Sequence, residues 1–250
     1  NKIVFKQTRN FTDEIETCIE CGNCTLWCPI YQEEPKESSV ARGKMMMIRG
    51  LLCVSLPYTK DFENSLSKCL LCMTCSEHCP VGCQVQSAIT ASRADRVKAH
   101  GVGLLSGFVY KRLIPHRTLF GNVVRVASWL QRIFLPHGEG RTRHLPLFLS
   151  ALGKGREIPT IAPKFLRQLV PVINSPDRAT PEMRVGFFVG CATDFIFPEV
   201  GKKAIDLLTK RGIEVVVPQT QGCWGAPVWL GSGDFETGRR LADKNVEVFK

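Results

Sequence analysis

Residues 18–29 read CIECGNCTLWCP, and residues 69–80 read CLLCMTCSEHCP. Both stretches have one pattern, Cys-x2-Cys-x2-Cys-x3-Cys-Pro. The first run consists of Cys18, Cys21, Cys24 and Cys28, and the second of Cys69, Cys72, Cys75 and Cys79. The two runs are an internal repeat, with about fifty residues between equivalent positions.

This spacing is typical of a pair of [4Fe-4S] clusters. Three thiolates at i, i+3 and i+6 can each reach a different iron of one cubane, and the cysteine before proline ligates the other cubane. We expect the first cluster to be held by Cys18, Cys21, Cys24 and Cys79. We expect the second to be held by Cys69, Cys72, Cys75 and Cys28. Such an exchange of ligands would place the clusters close together, as electron hopping requires.

Zinc is the main alternative, because Cys-x2-Cys pairs also bind it. A four-coordinate zinc ion gives no reason for a third cysteine at i+6 or for the Cys-Pro pair. Two matching copies therefore favour iron–sulfur clusters. We expect Gly22 to let the backbone pass near sulfur.

The overall composition is that of a globular protein. Of 250 residues, 44% are hydrophobic and 22% are charged. No run approaches the roughly 18 apolar residues of a transmembrane helix, and the polar N-terminus, which lacks Met, does not resemble a secretory signal. Ten of the twelve cysteines lie between Cys18 and Cys83, which favours a reducing compartment. We expect a cytoplasmic protein, with peripheral contact at the inner face of the membrane as a further hypothesis.

The net charge of +10 is concentrated in the middle of the chain. Between Ala91 and Arg184 there are sixteen Lys and Arg against five Asp and Glu, a surplus of eleven. This segment suits anionic lipid or an acidic partner subunit. No nucleic-acid-binding signature accompanies it, so we expect no nucleic acid partner.

The pattern predicts an α+β chain in three parts. Residues 1–100 are expected to form an α-helical, ferredoxin-like domain with two [4Fe-4S] clusters and a helix over residues 40–52. Residues 101–183 are a basic connector in which eight prolines make long helices unexpected. Residues 184–250 are expected to begin a cysteine-rich α/β domain that continues beyond this sequence.

The third part alternates strands and helices. Residues 184–190 predict a buried strand, 198–211 an amphipathic helix, 213–217 a second strand and 234–249 another helix. This order indicates a parallel sheet.

The remaining cysteines are less constrained. Cys53 is interpreted as a buried small hydrophobe and Cys83 as a buried filler or a thiol near the clusters. Cys191 and Cys223 follow the two predicted strands and should meet at the carboxyl edge of the sheet, where ligands bind. They form a candidate additional site, with simple burial as the alternative. His78, between two ligands, is expected to be a partly exposed bystander, with a proton-coupled role as the alternative.

A further helix is expected within residues 101–135. Its apolar face would comprise Val123, Val126, Ala127, Leu130 and Phe134. This face could pack on the protein's own core, which is the first interpretation, or contact a membrane interface or a partner subunit.

The sequence resembles the iron–sulfur subunits of glycolate oxidase and their relatives, the lactate-utilisation iron–sulfur proteins and the heterodisulfide reductase D-like subunits. The resemblance rests on the twin cysteine runs, on ARGK at residues 41–44, and on the GC, FPEV, VP and QGC motifs at 190–191, 197–200, 217–218 and 221–223. The last four resemble the start of a "CCG" domain. Where that motif has paired cysteines, Cys223 is followed by Trp224, which cannot ligate iron, so the resemblance does not imply a third cluster.

The resemblance implies an electron-transfer subunit without substrate chemistry of its own. A partner subunit would carry FAD and oxidise a 2-hydroxy acid such as glycolate or lactate, and electrons would pass to a quinone or another carrier. The sequence has no glycine-rich dinucleotide fingerprint for FAD. The alternative functions are a catalytic, disulfide-reducing subunit that uses the CCG domain and a non-redox assembly scaffold.

Overall fold

The computed structural model describes residues 5–134, 141–142, 158–177 and 180–250. The chain forms two compact units. The first comprises Asn1–Gly107 and Gly225–Arg239, and the second Phe108–Trp224 and Arg240–Lys250. The expected domain boundaries near residues 100 and 183 stay a prediction.

Helices dominate the described residues. The α-helices are α1 (Lys6–Arg9), α2 (Thr12–Glu16), α3 (Cys24–Trp27), α4 (Pro29–Glu33), α5 (Ala41–Leu52), α6 (Lys60–Ser67), α7 (Thr74–Glu77), α8 (Val85–His100), α9 (Leu104–Phe108), α10 (Arg117–Phe134), α11 (Leu166–Leu169), α12 (Cys191–Phe195), α13 (Pro198–Lys210) and α14 (Phe235–Val248). A 3₁₀ turn spans Glu37–Ser39, and π-helical segments span Val109–Leu113 and Pro227–Ser232. The strands are β1 (Arg141–Thr142), β2 (Ile158–Pro159), β3 (Ile173–Asn174), β4 (Met183–Gly186) and β5 (Ile213–Val216).

The core of the first unit forms around α5, which confirms the helix predicted over residues 40–52. Met45, Ile48 and Leu51 recur at helical spacing on one face and are buried. They pack in one cluster with Ala88 and Ile89 of α8. Each fully buried large apolar side chain of this kind stabilises the fold by about 1.5–3 kcal/mol. This core supports the loops that carry the cysteines.

A small three-stranded sheet lies in the second unit, in the order β3–β5–β4. β4 and β5 are parallel, with Val185 opposite Val215, which confirms the predicted parallel pairing. β3 pairs with β5 in the antiparallel direction and lies in the expected connector, where no strand was predicted. Within the described residues β4 is an edge strand that ends at Gly186 and is largely exposed, so the buried strand expected over residues 184–190 was wrong in length and burial.

The helices flanking the sheet follow their sequence signals. α13 begins with Pro198 at its first turn and ends before Gly212, whose φ of 86° suits the left-handed turn into β5. Ile205 of α13 packs with Val215 in the core of the second unit. The helix predicted over residues 234–249 is present as α14.

The expectation of short helices in residues 101–183 was wrong for α10, which has 18 residues. No proline occurs between Pro115 and Pro136, so nothing interrupts the helix there. Within the described ranges, no helix combines the length and apolar character needed to cross a bilayer.

The first interpretation of the apolar face of α10 was also wrong. Val123, Val126 and Leu130 are between 40% and 57% exposed. The packed side instead contains Ser128, whose hydroxyl donates to the Ala162 carbonyl at 3.3 Å. Ala127 is half-buried, and the side chain of Phe134 lies outside the described part.

Candidate iron–sulfur centres and a cysteine pair

The eight cysteines of the repeat line two cavities in the first unit. One cavity is lined by Cys69, Cys72 and Cys75 of the second run together with Cys28 of the first. The other is lined by Cys18, Cys21 and Cys24 of the first run, by Cys75 and Cys79 of the second, and by Cys83. Each cavity thus includes three cysteines of one run and the Cys-Pro cysteine of the other, and Cys75 lines both cavities. Which of these thiols ligate iron stays a prediction.

The two cavities are neighbours that share part of their walls. Ala41, Cys75 and Val85 line both. Cys75 lies at the start of the short helix α7, whereas Ala41 and Val85 begin the core helices α5 and α8. The shared wall therefore belongs to the hydrophobic cluster at the core of the unit, with Cys75 at its margin. Groups bound in the two cavities would be separated by only a few side chains.

The backbone repeats along with the cysteines. Glu20 and Gly22 have φ values of 59° and 81°, and Leu71 and Met73 have values of 54° and 65°. These residues lie two and four positions after the first cysteine of each run, so both loops use the same left-handed turns. A Cβ at Gly22 would lie 2.7 Å from Nη1 of Arg42. Met73 adopts the equivalent left-handed conformation in the second loop, so the turn alone does not require glycine. The close approach of Arg42 explains why residue 22 is a glycine.

Two arginines hold the cysteine loops in equivalent ways, and the sequence reasoning gave neither a role. Arg49 donates from Nη2 to the carbonyls of Ile15 at 2.9 Å and Cys18 at 3.2 Å. Arg93 donates from Nη2 to the carbonyls of Leu66 at 2.6 Å and Cys69 at 2.7 Å. In each case the acceptors are the first cysteine of a run and the residue three before it. Each arginine therefore holds the backbone at the point where a cysteine loop begins.

Arg93 also donates from Nη1 to the Leu230 carbonyl at 2.9 Å and is only 5% exposed. We expect Arg93→Ala to lower the free energy of unfolding by about 3 kcal/mol or more, because buried carbonyls lose a charged donor. Urea unfolding followed by circular dichroism measures this loss. Arg96→Ala is the matched control on the same helix, since Arg96 makes a partly exposed ion pair with Glu63 and should cost about 1 kcal/mol or less. Equal losses would contradict the assigned role.

The two runs also contact each other directly. Asn23 donates from Nδ2 to the His78 carbonyl at 2.7 Å, and the rings of Trp27 and His78 stack with centroids 3.8 Å apart. His78 is exposed, as expected, and its Nδ1 lies 3.0 Å from the Thr74 carbonyl. These contacts join the short helices α3 and α7, which contain the third cysteine of each run.

The chemistry of the donor set fits an iron–sulfur centre. Burial, followed by the neighbouring thiols, raises the pKa of Cys75 to about 11, and burial raises the pKa of Cys24. Thiolates crowded into a poorly solvated site require compensating positive charge, which bound iron supplies. Lys44 is buried, and burial lowers its pKa while the thiols of Cys69 and Cys28 oppose that shift. Its buried cation adds positive charge beside the first cavity.

The other two cysteines of the first unit differ from each other. Cys83 is buried and its thiol donates to the Glu14 carbonyl at 3.1 Å, which confirms the expectation of burial. Cys53 is exposed, so its interpretation as a buried residue was wrong. α5 ends at Leu52, and the chain turns at Val54, whose φ is 58°, so Cys53 lies outside the helix.

Cys191 and Cys223 meet in the second unit, as expected from the parallel strands. Cys191 begins α12 after β4, and Cys223 lies in the loop after β5. Their thiols form a hydrogen bond, and this bond together with burial raises the pKa of Cys191. Both side chains are half-buried. Among the described residues, no three His, Cys, Asp or Glu side chains converge on one position where a single metal ion would be held.

Comparison with known protein families places the chain in a class of iron–sulfur proteins. Residues 14–83 match the family described as "4Fe-4S dicluster domain", and residues 185–250 match the family described as "Cysteine-rich domain", abbreviated CCG. The first match contains both cysteine runs, and the second contains Cys191 and Cys223. The chain is therefore an iron–sulfur protein with a cysteine-rich domain.

Within that class, the resemblance to glycolate oxidase iron–sulfur subunits is confirmed. The chain is 28% identical over 95% of its length to the Bacillus subtilis protein named "Probable glycolate oxidase iron-sulfur subunit" and covers 54% of it. It is 25% identical over 94% of its length to the Escherichia coli "Glycolate oxidase iron-sulfur subunit" and covers 52% of it. A Bacillus cereus "Lactate utilization protein A 2" is 34% identical over 27% of the chain and 28% of that protein. The chain spans about half the length of the two glycolate oxidase relatives. No solved structure matches the chain at a significant level.

Proposed function

We propose that this chain is the electron-transfer subunit of a flavin-dependent 2-hydroxyacid dehydrogenase. The observation that carries the proposal is the pair of neighbouring cavities, each lined by three cysteines of one run and the Cys-Pro cysteine of the other, within the region that matches a dicluster family. The ferredoxin-like first unit would hold one [4Fe-4S] cluster on Cys18, Cys21, Cys24 and Cys79. It would hold the other on Cys69, Cys72, Cys75 and Cys28.

Clusters of this type, when bound, supply one-electron carriers. The residues of the chain contribute rigidity and a short path. Ala41 and Val85 keep the wall between the cavities apolar, while Cys75 places sulfur in it. Arg49 and Arg93 fix the carbonyls at the entrance of each loop. A rigid, poorly hydrated surrounding limits the rearrangement that accompanies each electron transfer.

The flavin belongs to a partner in this proposal. The relatives are named as iron–sulfur subunits of glycolate oxidase, and the present sequence has no glycine-rich dinucleotide fingerprint. The partner would oxidise glycolate or lactate with FAD and pass electrons to the cysteine-lined cavities. A quinone or another carrier would receive them.

The exposed apolar side of α10 supports peripheral contact with the inner face of the membrane. Val123, Val126 and Trp129 are exposed there, and no acidic residue occurs between Asp95 and Glu139. An apolar helix face in basic surroundings suits the interface of an anionic bilayer. Sedimentation with phosphatidylglycerol vesicles, but not with phosphatidylcholine vesicles, is the expected behaviour, and Val126→Glu should abolish it.

Anaerobic purification of the intact protein from its own cells tests the function. We expect an FAD-containing subunit to stay bound, and we expect glycolate or lactate to bleach the visible absorbance of the clusters. A preparation without flavoprotein whose reduced clusters are not oxidised by a quinone analogue would contradict the proposal. A low-temperature EPR signal from an oxidised centre that binds a thiol substrate would instead support a disulfide-reducing subunit.

A further inference from the structure

The thiols of Cys191 and Cys223 form a pair within the second unit. Neither residue lines the two cysteine-lined cavities. The two sulfur atoms share a hydrogen bond, although 32 residues separate them along the chain. Because β4 and β5 are parallel, the segments that follow them reach the same edge of the sheet. The fold thus brings two thiols together without a disulfide.

Two buried amides hold the segments that carry these thiols. Gln221 is fully buried; its Oε1 accepts from the Val189 amide at 2.9 Å, and its Nε2 donates to the Val189 carbonyl at 2.8 Å. Asn245 accepts from the Gly222 amide at 2.8 Å and donates to the Cys223 carbonyl at 2.9 Å. These four bonds tie the segment before Cys191 to the loop before Cys223 and anchor that loop to α14. The approach of the thiols is therefore built into the fold.

Charged groups surround the pair. The hydrogen bond to Cys223 and burial raise the pKa of Cys191, Arg117 opposes that rise, and Asp194 adds to it. Arg167 lies near the same thiol and also pairs with Asp194. One carboxylate thus faces two guanidinium groups, which leaves positive charge beside the sulfurs. Partly exposed cysteines in such surroundings are the reactive ones.

We propose that Cys191 and Cys223 are a redox-active dithiol that closes reversibly into an intramolecular disulfide. A low-molecular-weight disulfide is the oxidant. One of the two cysteines, as its thiolate, attacks one sulfur of that disulfide, whose S–S bond breaks, and the departing thiolate takes up a proton. The other cysteine then loses its proton and attacks the sulfur of the mixed disulfide that belongs to the protein, which releases the second small thiol. Two electrons and two protons move from the cysteines to the small disulfide, which becomes two thiols.

The hydrogen bond between Cys191 and Cys223 holds the second sulfur beside the first, so whichever thiol forms the mixed disulfide, the other is placed to resolve it. The dithiol–disulfide couple of Cys191 and Cys223 does not depend on the electron-transfer role of the first unit. A protein without clusters would retain it, so failure of one proposal leaves the other testable.

Peptide mass spectrometry of the intact protein tests the pair directly. The protein is equilibrated anaerobically in glutathione buffers of increasing glutathione disulfide content, alkylated and digested with trypsin. Residues 185–202 contain Cys191 alone, and residues 212–239 contain Cys223 alone, so a disulfide joins two distinct peptides. We expect the joined peptide to appear as the disulfide fraction rises and to disappear on return to glutathione.

Variants separate this role from burial and from metal binding. Cys191→Ser and Cys223→Ser should each prevent the joined peptide and trap glutathione on the cysteine that remains. Cys53→Ser is the control, because Cys53 is exposed and lies outside both cysteine-lined cavities. The iron content of both variants should equal that of the unaltered protein. Absence of the joined peptide in every buffer, or a fall in iron content in either variant, would overturn the proposal.

Discussion

Replacement of Cys24 by serine is expected to reduce electron transfer from a partner flavin to the final acceptor by more than about 100-fold. Cys24 is the third cysteine of its run and lines the second cavity with Cys18, Cys21 and Cys79. Loss of a residue that only supports a metal ligand costs roughly 10- to 100-fold in metal affinity or activity, so loss of a ligand should cost at least as much. Rapid-mixing absorbance of the complex measures the transfer step, and flavin reduction by the hydroxy acid should stay unchanged.

Cys53→Ser is the matched control, because Cys53 has the same chemistry but is exposed and lines neither cavity. It should leave both the transfer rate and the iron content unaltered. Cys72→Ser should behave like Cys24→Ser, since Cys72 occupies the equivalent place in the repeat. Turnover with the natural acceptor that survives Cys24→Ser would exclude the proposed electron path.

Removal of the charge at Asp194 is expected to destabilise the second unit by about 3–5 kcal/mol. Asp194 is 1% exposed and forms ion pairs with Arg117 and Arg167, and its Oδ1 accepts from the Arg167 amide at 3.3 Å. Asp194→Asn keeps the shape of the side chain but leaves the buried guanidinium group of Arg167 and the partly exposed one of Arg117 without their counter-charge. Urea unfolding followed by circular dichroism measures the loss.

Glu214→Gln serves as the control within the same unit. Glu214 pairs with Arg184 across β4 and β5, but the Arg184 side chain is 63% exposed. Pairs of this kind contribute about 0–1 kcal/mol, so the control should lose little stability. If Asp194→Asn lost as little stability as Glu214→Gln, the predicted role of Asp194 as a buried counter-charge would be contradicted.

The features that depend on local patterns were predictable from the sequence. α5 follows from apolar residues at helical spacing, and α13 from Pro198 at its start and Gly212 beyond its end. The meeting of Cys191 with Cys223 follows from the parallel order of two strands. Each cavity includes the Cys-Pro cysteine of the opposite run, as the spacing indicates, while the assignment of ligands to each cluster stays a prediction.

Features that depend on distant contacts were not predictable in this way. Arg93 donates hydrogen bonds to the carbonyls of residues 66, 69 and 230, and nothing in its local sequence indicates those acceptors. β3 is too short to show a strand pattern, because its two residues join the sheet only through pairing with β5. Helical periodicity located an apolar face on α10 but could not tell whether that face lies inward or outward. The burial of Cys53 was predicted wrongly because α5 ends at Leu52, one residue before it.

The central claim is that eight cysteines hold two [4Fe-4S] clusters in neighbouring cavities. Iron, zinc and acid-labile sulfide analysis of anaerobically purified protein tests this claim most directly, together with low-temperature EPR of the reduced sample. We expect about eight iron and eight sulfide per chain and a spectrum of two magnetically interacting cubanes. Stoichiometric zinc, or only about four iron per chain, would contradict the account.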